Sequence, residues 1–213
     1  QALGAKTIAI PMQRFVSPLA DIRLTLDLYR VFKSEKYDLV HTMTVKPNVF
    51  GTIAARFARV PRVVALVSGL GFAFAKQKGF KNKSTEIVTL FLYKLAFSLN
   101  HKTWFQNQDD RQVFCAKGLI SEEKSIVIRS GGINTSDFSM HSISTEELSQ
   151  LKKEFNLPLE AKLNVMVSAR MIWSKGVKEF IEAAHLLRDK FPDWKFILLA
   201  PRDEGSPDSV PCE

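Results

Sequence analysis

Residues 163–184 read LNVMVSARMIWSKGVKEFIEAA. The first seven are a near-continuous apolar run, as expected of a strand buried on both faces. From Val177 onward the apolar residues return at helical spacing, giving an amphipathic helix over 175–190 that Pro192 prevents from continuing. The strand ends at Ala169, so Arg170 sits at its carboxyl end, and Lys175 and Gly176 open the helix with Ser174 as its expected cap. A strand that feeds directly into a helix is the building unit of a parallel sheet.

The same alternation runs through the chain. Further strands are predicted at 6–10, 37–41, 62–67, 102–106, 125–129 and 194–200, separated by helical patterns at 20–34, 47–58, 84–99, 108–117 and 145–155. This predicts an α/β protein with parallel sheets covered by helices on both faces. Asn107 and Gly118 bracket one helix as cap and left-handed stop, and Ser144 with Glu147 forms a capping box for another. The stretch SGGINTSDFSMHSIS, residues 130–144, is rich in Gly, Ser, Thr and Asn and predicts a junction between domains at 1–133 and 134–213. The opening QALGAKTIAI reads as a helix end running into a strand, and DEGSPDSVPCE closes the chain without pattern after a buried strand. A doubly wound domain needs more than the roughly 70 residues left after the junction, so both domains read as incomplete.

The 213 residues are 46% hydrophobic and 24% charged, within the range of an ordinary globular protein. Their net charge of +8 is uneven: residues 1–140 hold +10 and residues 141–213 hold −2. A basic first part implies an anionic partner without choosing among nucleic acid, membrane surface and phosphorylated substrate. Cys115 and Cys212 match neither a metal-site spacing nor a disulfide framework, which fits a reducing compartment. The longest apolar stretch, Ile87 to Leu99, is broken by polar residues and shorter than the roughly 18 needed to span a bilayer. With no secretory signal pattern at the start, the expectation is a cytoplasmic protein.

Arg170 and Lys175 carry the clearest chemistry. Ligands of open α/β sheets bind at the carboxyl edge of the strands. There the N–H groups and dipole of a following helix attract an anion, and two cations add charge-assisted hydrogen bonds to phosphate oxygens. Spacing alone fits equally well with a surface Arg and Lys flanking a turn.

Arg-x4-Lys-Gly followed by V-x-E-F-I-E-A-A resembles the donor-side motif of the retaining glycosyltransferases of family 4, which have the GT-B fold. YDLVHTMTVKPNVFGTIAARFARVPRVVALVSGLGFAF, residues 37–74, is similar to the acceptor-side domain of that family, and DEGSPDSVP resembles a stretch of its bacterial members that build surface polysaccharides such as capsule and O-antigen. The resemblance implies two Rossmann-like domains, acceptor side first. It implies transfer of a sugar, with retention, from a nucleotide sugar such as a UDP-sugar to a polyprenyl-diphosphate-linked saccharide or other glycan, with no metal cofactor. Arg170, Lys175 and Gly176 would hold the donor diphosphate and stabilise the departing charge. His41, Thr42, Thr44 and Lys46, together with Ser68 and Gly69, would face the acceptor, while Asn48 and Arg56 read as helix surface. Ser68 stands where many members carry a catalytic His, and hydroxyl cannot shuttle protons as imidazole does. The glycine-rich first loop and the downstream Glu-x7-Glu segment of the family do not occur in this sequence.

FAFAKQKGFKNK, residues 72–83, interleaves Phe72, Phe74 and Phe80 with Lys76, Lys78, Lys81 and Lys83. It reads as a patch for the inner face of the plasma membrane or as a solvated lysine loop, with nucleic-acid stacking lacking any fingerprint. Two other functions use the same fold: a nucleotide-sugar epimerase or phosphorylase, and a non-catalytic fragment.

Overall fold

The computed structural model describes residues 4–14, 16–70, 80–129, 131–139, 142–160, 162–168, 170–206 and 208–211. The chain divides into two compact units, Gln1–Gly132 and Ile133–Glu213.

The first unit runs α1 (Pro18–Glu35), β1 (Leu39–Met43), a π turn (Pro47–Gly51) continuing into α2 (Thr52–Phe57), β2 (Arg62–Val67), α3 (Phe80–Leu99), β3 (Lys102–Phe105), α4 (Gln108–Ala116) and β4 (Ser125–Val127). The four strands lie parallel in the order β1-β2-β3-β4. Their register aligns Thr42, Ala65, Thr103 and Ser125 in one row, and all four are buried. Strand side chains alternate between faces, so this row marks the face that the helices cover. On it Val49, Tyr93, Ala96, Phe97 and Phe114 close around Ala65, Val67 and Phe105, while Val40, Ala55, Val60 and Val63 pack with Phe32 of α1. Burial raises the pKa of the Tyr93 phenol. The neighbouring row of Met43, Leu66, Trp104 and Ile126 belongs to the other face. Its end residues Met43 and Ile126 are exposed, while Leu66 between them is buried.

Three local expectations need correction. Residues 6–10 form no strand, because no described strand pairs with them, and Ile8 is exposed. The helix expected over 47–58 begins as a π turn. At its end Gly51 lies so close to β1 that an added Cβ would meet Thr42 Cγ2 at 3.1 Å. Asn48 is not surface but fully buried. The caps do form as the sequence indicates: Asn107 accepts from Asp110 N–H at 2.8 Å, and Gly118 takes a positive φ of 63°. Lys124 adds a further stop to α3, since its ammonium donates to the carbonyls of Ser98 and Asn100 at 2.8 and 2.9 Å.

The second unit holds α5 (Thr145–Glu154), β5 (Lys162–Val167), a 3₁₀ turn (Trp173–Lys175), α6 (Val177–Arg188) and β6 (Trp194–Leu199). Ser144 and Glu147 form the capping box of α5. β5 and β6 are parallel, with Val167 level with Leu199, and both strands therefore end at one edge. Phe180 of α6 meets Phe196 of β6 edge-on at 5.7 Å. The residues after β6 are not patternless: Met171 bridges Arg202 and Ile172 bridges Ser209, so the closing segment folds back onto the turn after β5.

Candidate functional site

In the second unit, Ser168 fixes the exit from β5. Its N–H donates to Leu199 O at 2.9 Å and its hydroxyl to Arg170 O at 2.9 Å. Arg170 Nη1 donates to Asp203 Oδ2 at 3.1 Å; the guanidinium side chain is 47% exposed and the carboxylate side chain 11%. One fork of the guanidinium is thus tied down, and other donors face solvent. Ser174 does not cap α6. Its N–H donates to Asp208 Oδ2 at 3.0 Å, and Trp173 N–H donates to Asp208 O at 3.0 Å. The helix begins instead at Gly176, whose φ of 82° suits glycine. Lys175 therefore ends the 3₁₀ turn, one residue before the helix, and it is exposed. Its ammonium has no hydrogen-bond or ion-pair partner among the described residues. Two exposed cations at the carboxyl edge of a parallel pair are suited to a bidentate anion such as a diphosphate.

The first unit treats its predicted residues differently. β1 extends to Met43, which places His41 in mid-strand rather than at the strand end. The imidazole rests against Trp104 with centroids 4.5 Å apart, and its buried Nε2 has no hydrogen-bond partner among the described residues. Thr42 faces the core, donating to Asn48 Oδ1 at 2.8 Å, while Asn48 Nδ2 donates to Leu66 O at 2.7 Å. Lys46 Nζ lies 2.5 Å from Asp21 Oδ1, with side chains 13% and 8% exposed. Thr42 and Lys46 thus tie the β1 exit to α1 and β2 rather than offering groups to a ligand. Thr44, Ser68 and Gly69 remain exposed at the carboxyl edge. Thr44 holds a φ of 69°, a strained conformation for a β-branched residue and one found at functional sites. An added Cβ at Gly69 would touch nothing within 4 Å, leaving room for close approach.

Phe72, Phe74, Lys76 and Lys78 lie outside the described residues, and Phe80, Lys81 and Lys83 are described only as backbone of the first turn of α3. No described helix is long and apolar enough to cross a membrane. The described residues contain no group of three or more His, Cys, Asp or Glu side chains placed to hold a metal ion.

Residues 1–107 match the Glycosyl transferase 4-like family. The chain belongs to that family. Among its curated relatives, the N,N'-diacetylbacillosaminyl-diphospho-undecaprenol alpha-1,3-N-acetylgalactosaminyltransferase of Campylobacter jejuni is 36% identical, over 95% of this chain and 52% of the relative. The UDP-Gal:alpha-D-GlcNAc-diphosphoundecaprenol alpha-1,3-galactosyltransferase of Escherichia coli is 30% identical, over 87% of this chain and 46% of the relative. The chain spans about half the length of the curated relatives it matches. A glycosyltransferase structure from Rickettsia africae superposes with a TM-score of 0.55 at 14% identity, covering 94% of this chain and 55% of that one. The fold is the GT-B type, built from parallel α/β units.

Against this glycosyltransferase frame, sequence reading missed Asp21, Asn48, Asp203 and Asp208. Asn48 sits four residues after a strained strand exit, a place where a side-chain amide satisfies buried backbone. Asp203 and Asp208 lie in a segment of turn formers, DEGSPDSVP. Their carboxylates accept from Arg170 and from Ser174 N–H, 33 and 34 residues away, so no local signal marks their roles.

Proposed function

We propose that this protein is a retaining glycosyltransferase that moves a sugar from a UDP-sugar donor to a polyprenyl-diphosphate-linked saccharide in surface-polysaccharide synthesis. One observation carries the proposal: a relative 36% identical across 95% of the chain is named for α-1,3 transfer onto a diphospho-undecaprenol-linked sugar. The second relative, named for a UDP-Gal donor and the same class of acceptor, supports it.

In this reading Arg170 and Lys175 hold the donor diphosphate. Their charge offsets the negative charge that grows on the leaving group as the glycosidic bond breaks, which is electrostatic stabilisation of the transition state. Gly176 permits the left-handed backbone that follows Lys175. Thr44, Ser68 and Gly69 stand at the acceptor side, where exposed hydroxyls and an open backbone can meet a saccharide. Residues 1–132 form the acceptor-side domain and 133–213 belong to the donor-binding domain.

Peripheral contact with the membrane that carries the acceptor, on its cytoplasmic side, fits α3. Ile87, Val88, Phe91 and Leu95 are exposed at helical spacing. Just before them, the sequence brings four lysines between residues 76 and 83, each able to add about 1 kcal/mol of attraction to an anionic leaflet.

The test is product analysis by mass spectrometry, with UDP-sugars supplied with and without a polyprenyl-diphosphate-linked acceptor. The proposal expects an acceptor one sugar heavier, with an α linkage by NMR. A new nucleotide sugar formed without acceptor would make the protein an epimerase instead.

A further inference from the structure

We infer that Asp203 and Asp208, on the segment after β6, are positioning residues for the two halves of the donor clamp, an inference that rests on the diphosphate reading of Arg170 and Lys175. Arg170 is a long side chain with many rotamers to lose on ordering. Unrestrained at an exposed edge it would sample many orientations. Asp203 removes that freedom: its carboxylate, 11% exposed, anchors one guanidinium nitrogen at 3.1 Å while the side chain of Arg170 stays 47% exposed. A mostly buried acceptor beneath a half-exposed guanidinium is the geometry of a support rather than a cover. The backbone of the same residue is held separately by the Ser168 hydroxyl.

Asp208 does the equivalent for Lys175. Its carboxylate and its carbonyl accept from the consecutive N–H groups of Ser174 and Trp173, both at 3.0 Å. These bonds fix the 3₁₀ turn whose last residue is Lys175. The segment is itself folded, with Asp208 N–H donating to Ser206 Oγ and Ser206 N–H to Asp203 O. One short segment therefore supports both cations, five residues apart in sequence, at the edge shared by β5 and β6. Neither carboxylate touches the donor in this reading; each acts through the residue it holds.

A double-mutant cycle on the full-length protein, read by calorimetry with UDP, tests this. Asp203→Ala is expected to weaken UDP binding about tenfold when Arg170 is present and to have no further effect in an Arg170→Ala background. Asp203→Asn, which keeps an acceptor atom, is expected to recover most of the loss. Equal losses in both backgrounds would mean general damage to the unit, and tighter binding by Asp203→Ala would mean that the carboxylate competes with phosphate; either overturns the inference. For Asp208→Ala the parallel cycle uses Lys175→Ala, with the same expected non-additivity. If Arg170→Ala and Lys175→Ala both bind UDP as the unmodified protein does, the diphosphate reading itself fails, an outcome distinct from a wild-type response of Asp203→Ala alone.

Discussion

Lys46 and Arg170 are both cations just past the carboxyl end of a parallel strand, and both pair with an aspartate, yet they end in different situations. The Lys46–Asp21 pair is almost closed to solvent, with 13% and 8% of the side chains exposed, and joins the β1 exit to α1. The Arg170–Asp203 pair leaves nearly half of the arginine side chain in solvent, beside an exposed Lys175. Position at the favourable edge is shared; what differs is whether donors remain for a ligand. A buried pair that loses one partner leaves a charge in a poor environment. A half-exposed pair is screened and contributes little to global stability, while the arginine donors it leaves unpaired stay open to a ligand.

Breaking each pair should therefore give opposite phenotypes. Asp21→Ala removes the carboxylate facing the mostly buried Lys46 ammonium and is expected to cost about 3 kcal/mol, read by urea unfolding. Arg170→Ala is expected to change stability by no more than about 1 kcal/mol while weakening UDP binding at least tenfold. If Asp21→Ala proved neutral, or if Arg170→Ala unfolded the protein, the contrast between the two pairs would be lost.

Two substitutions sharpen the comparison within each unit. Asn48→Ala strips the partner from the buried Thr42 hydroxyl and from Leu66 O and should cost about 2 kcal/mol in the same unfolding experiment, marking the β1 exit as structural. Gly176→Ala places a side chain at a φ of 82° and should cost about 1 kcal/mol. Contacts at 3.8 Å to Met166 and 3.9 Å to Glu179 add no clash, so the penalty is backbone strain alone. The smallest effect belongs to the α5 cap. The Ser144 backbone and side chain hold the Glu147 carboxyl below its ordinary 4.5. A depressed carboxyl stabilises the fold above its unfolded value and loses that contribution as pH falls through the folded one. The cap should therefore weaken below about pH 4.5, detectable as a small loss of helicity that Glu147→Gln makes independent of pH.

The architecture was readable because its signals are local. Apolar runs, helical spacing and caps at Asn107 and Ser144 depend on neighbours within a few residues, and the six described strands each overlap a predicted run. The failures are long-range. Residues 6–10 have a strand's composition, but a strand exists only with a partner, and no described one pairs with them. Thr42 and Lys46 looked available because neither partner follows from helix or strand periodicity: Asn48 turns back to Thr42 from within the unexpected π turn, and Asp21 lies 25 residues away. His41 moved from strand end to mid-strand through a shift of two residues in β1. Arg170 was legible as a cation at a sheet edge; its tie to Asp203 spans 33 residues and needed the fold.

The central claim is that Arg170 and Lys175 bind phosphate rather than nucleoside. Calorimetry comparing UDP with uridine, on the full-length protein and on Arg170→Ala and Lys175→Ala, addresses it most directly. Each substitution should lower UDP affinity at least tenfold and leave uridine binding unchanged. Unaltered UDP affinity in both variants, or equal losses for UDP and uridine, would contradict it.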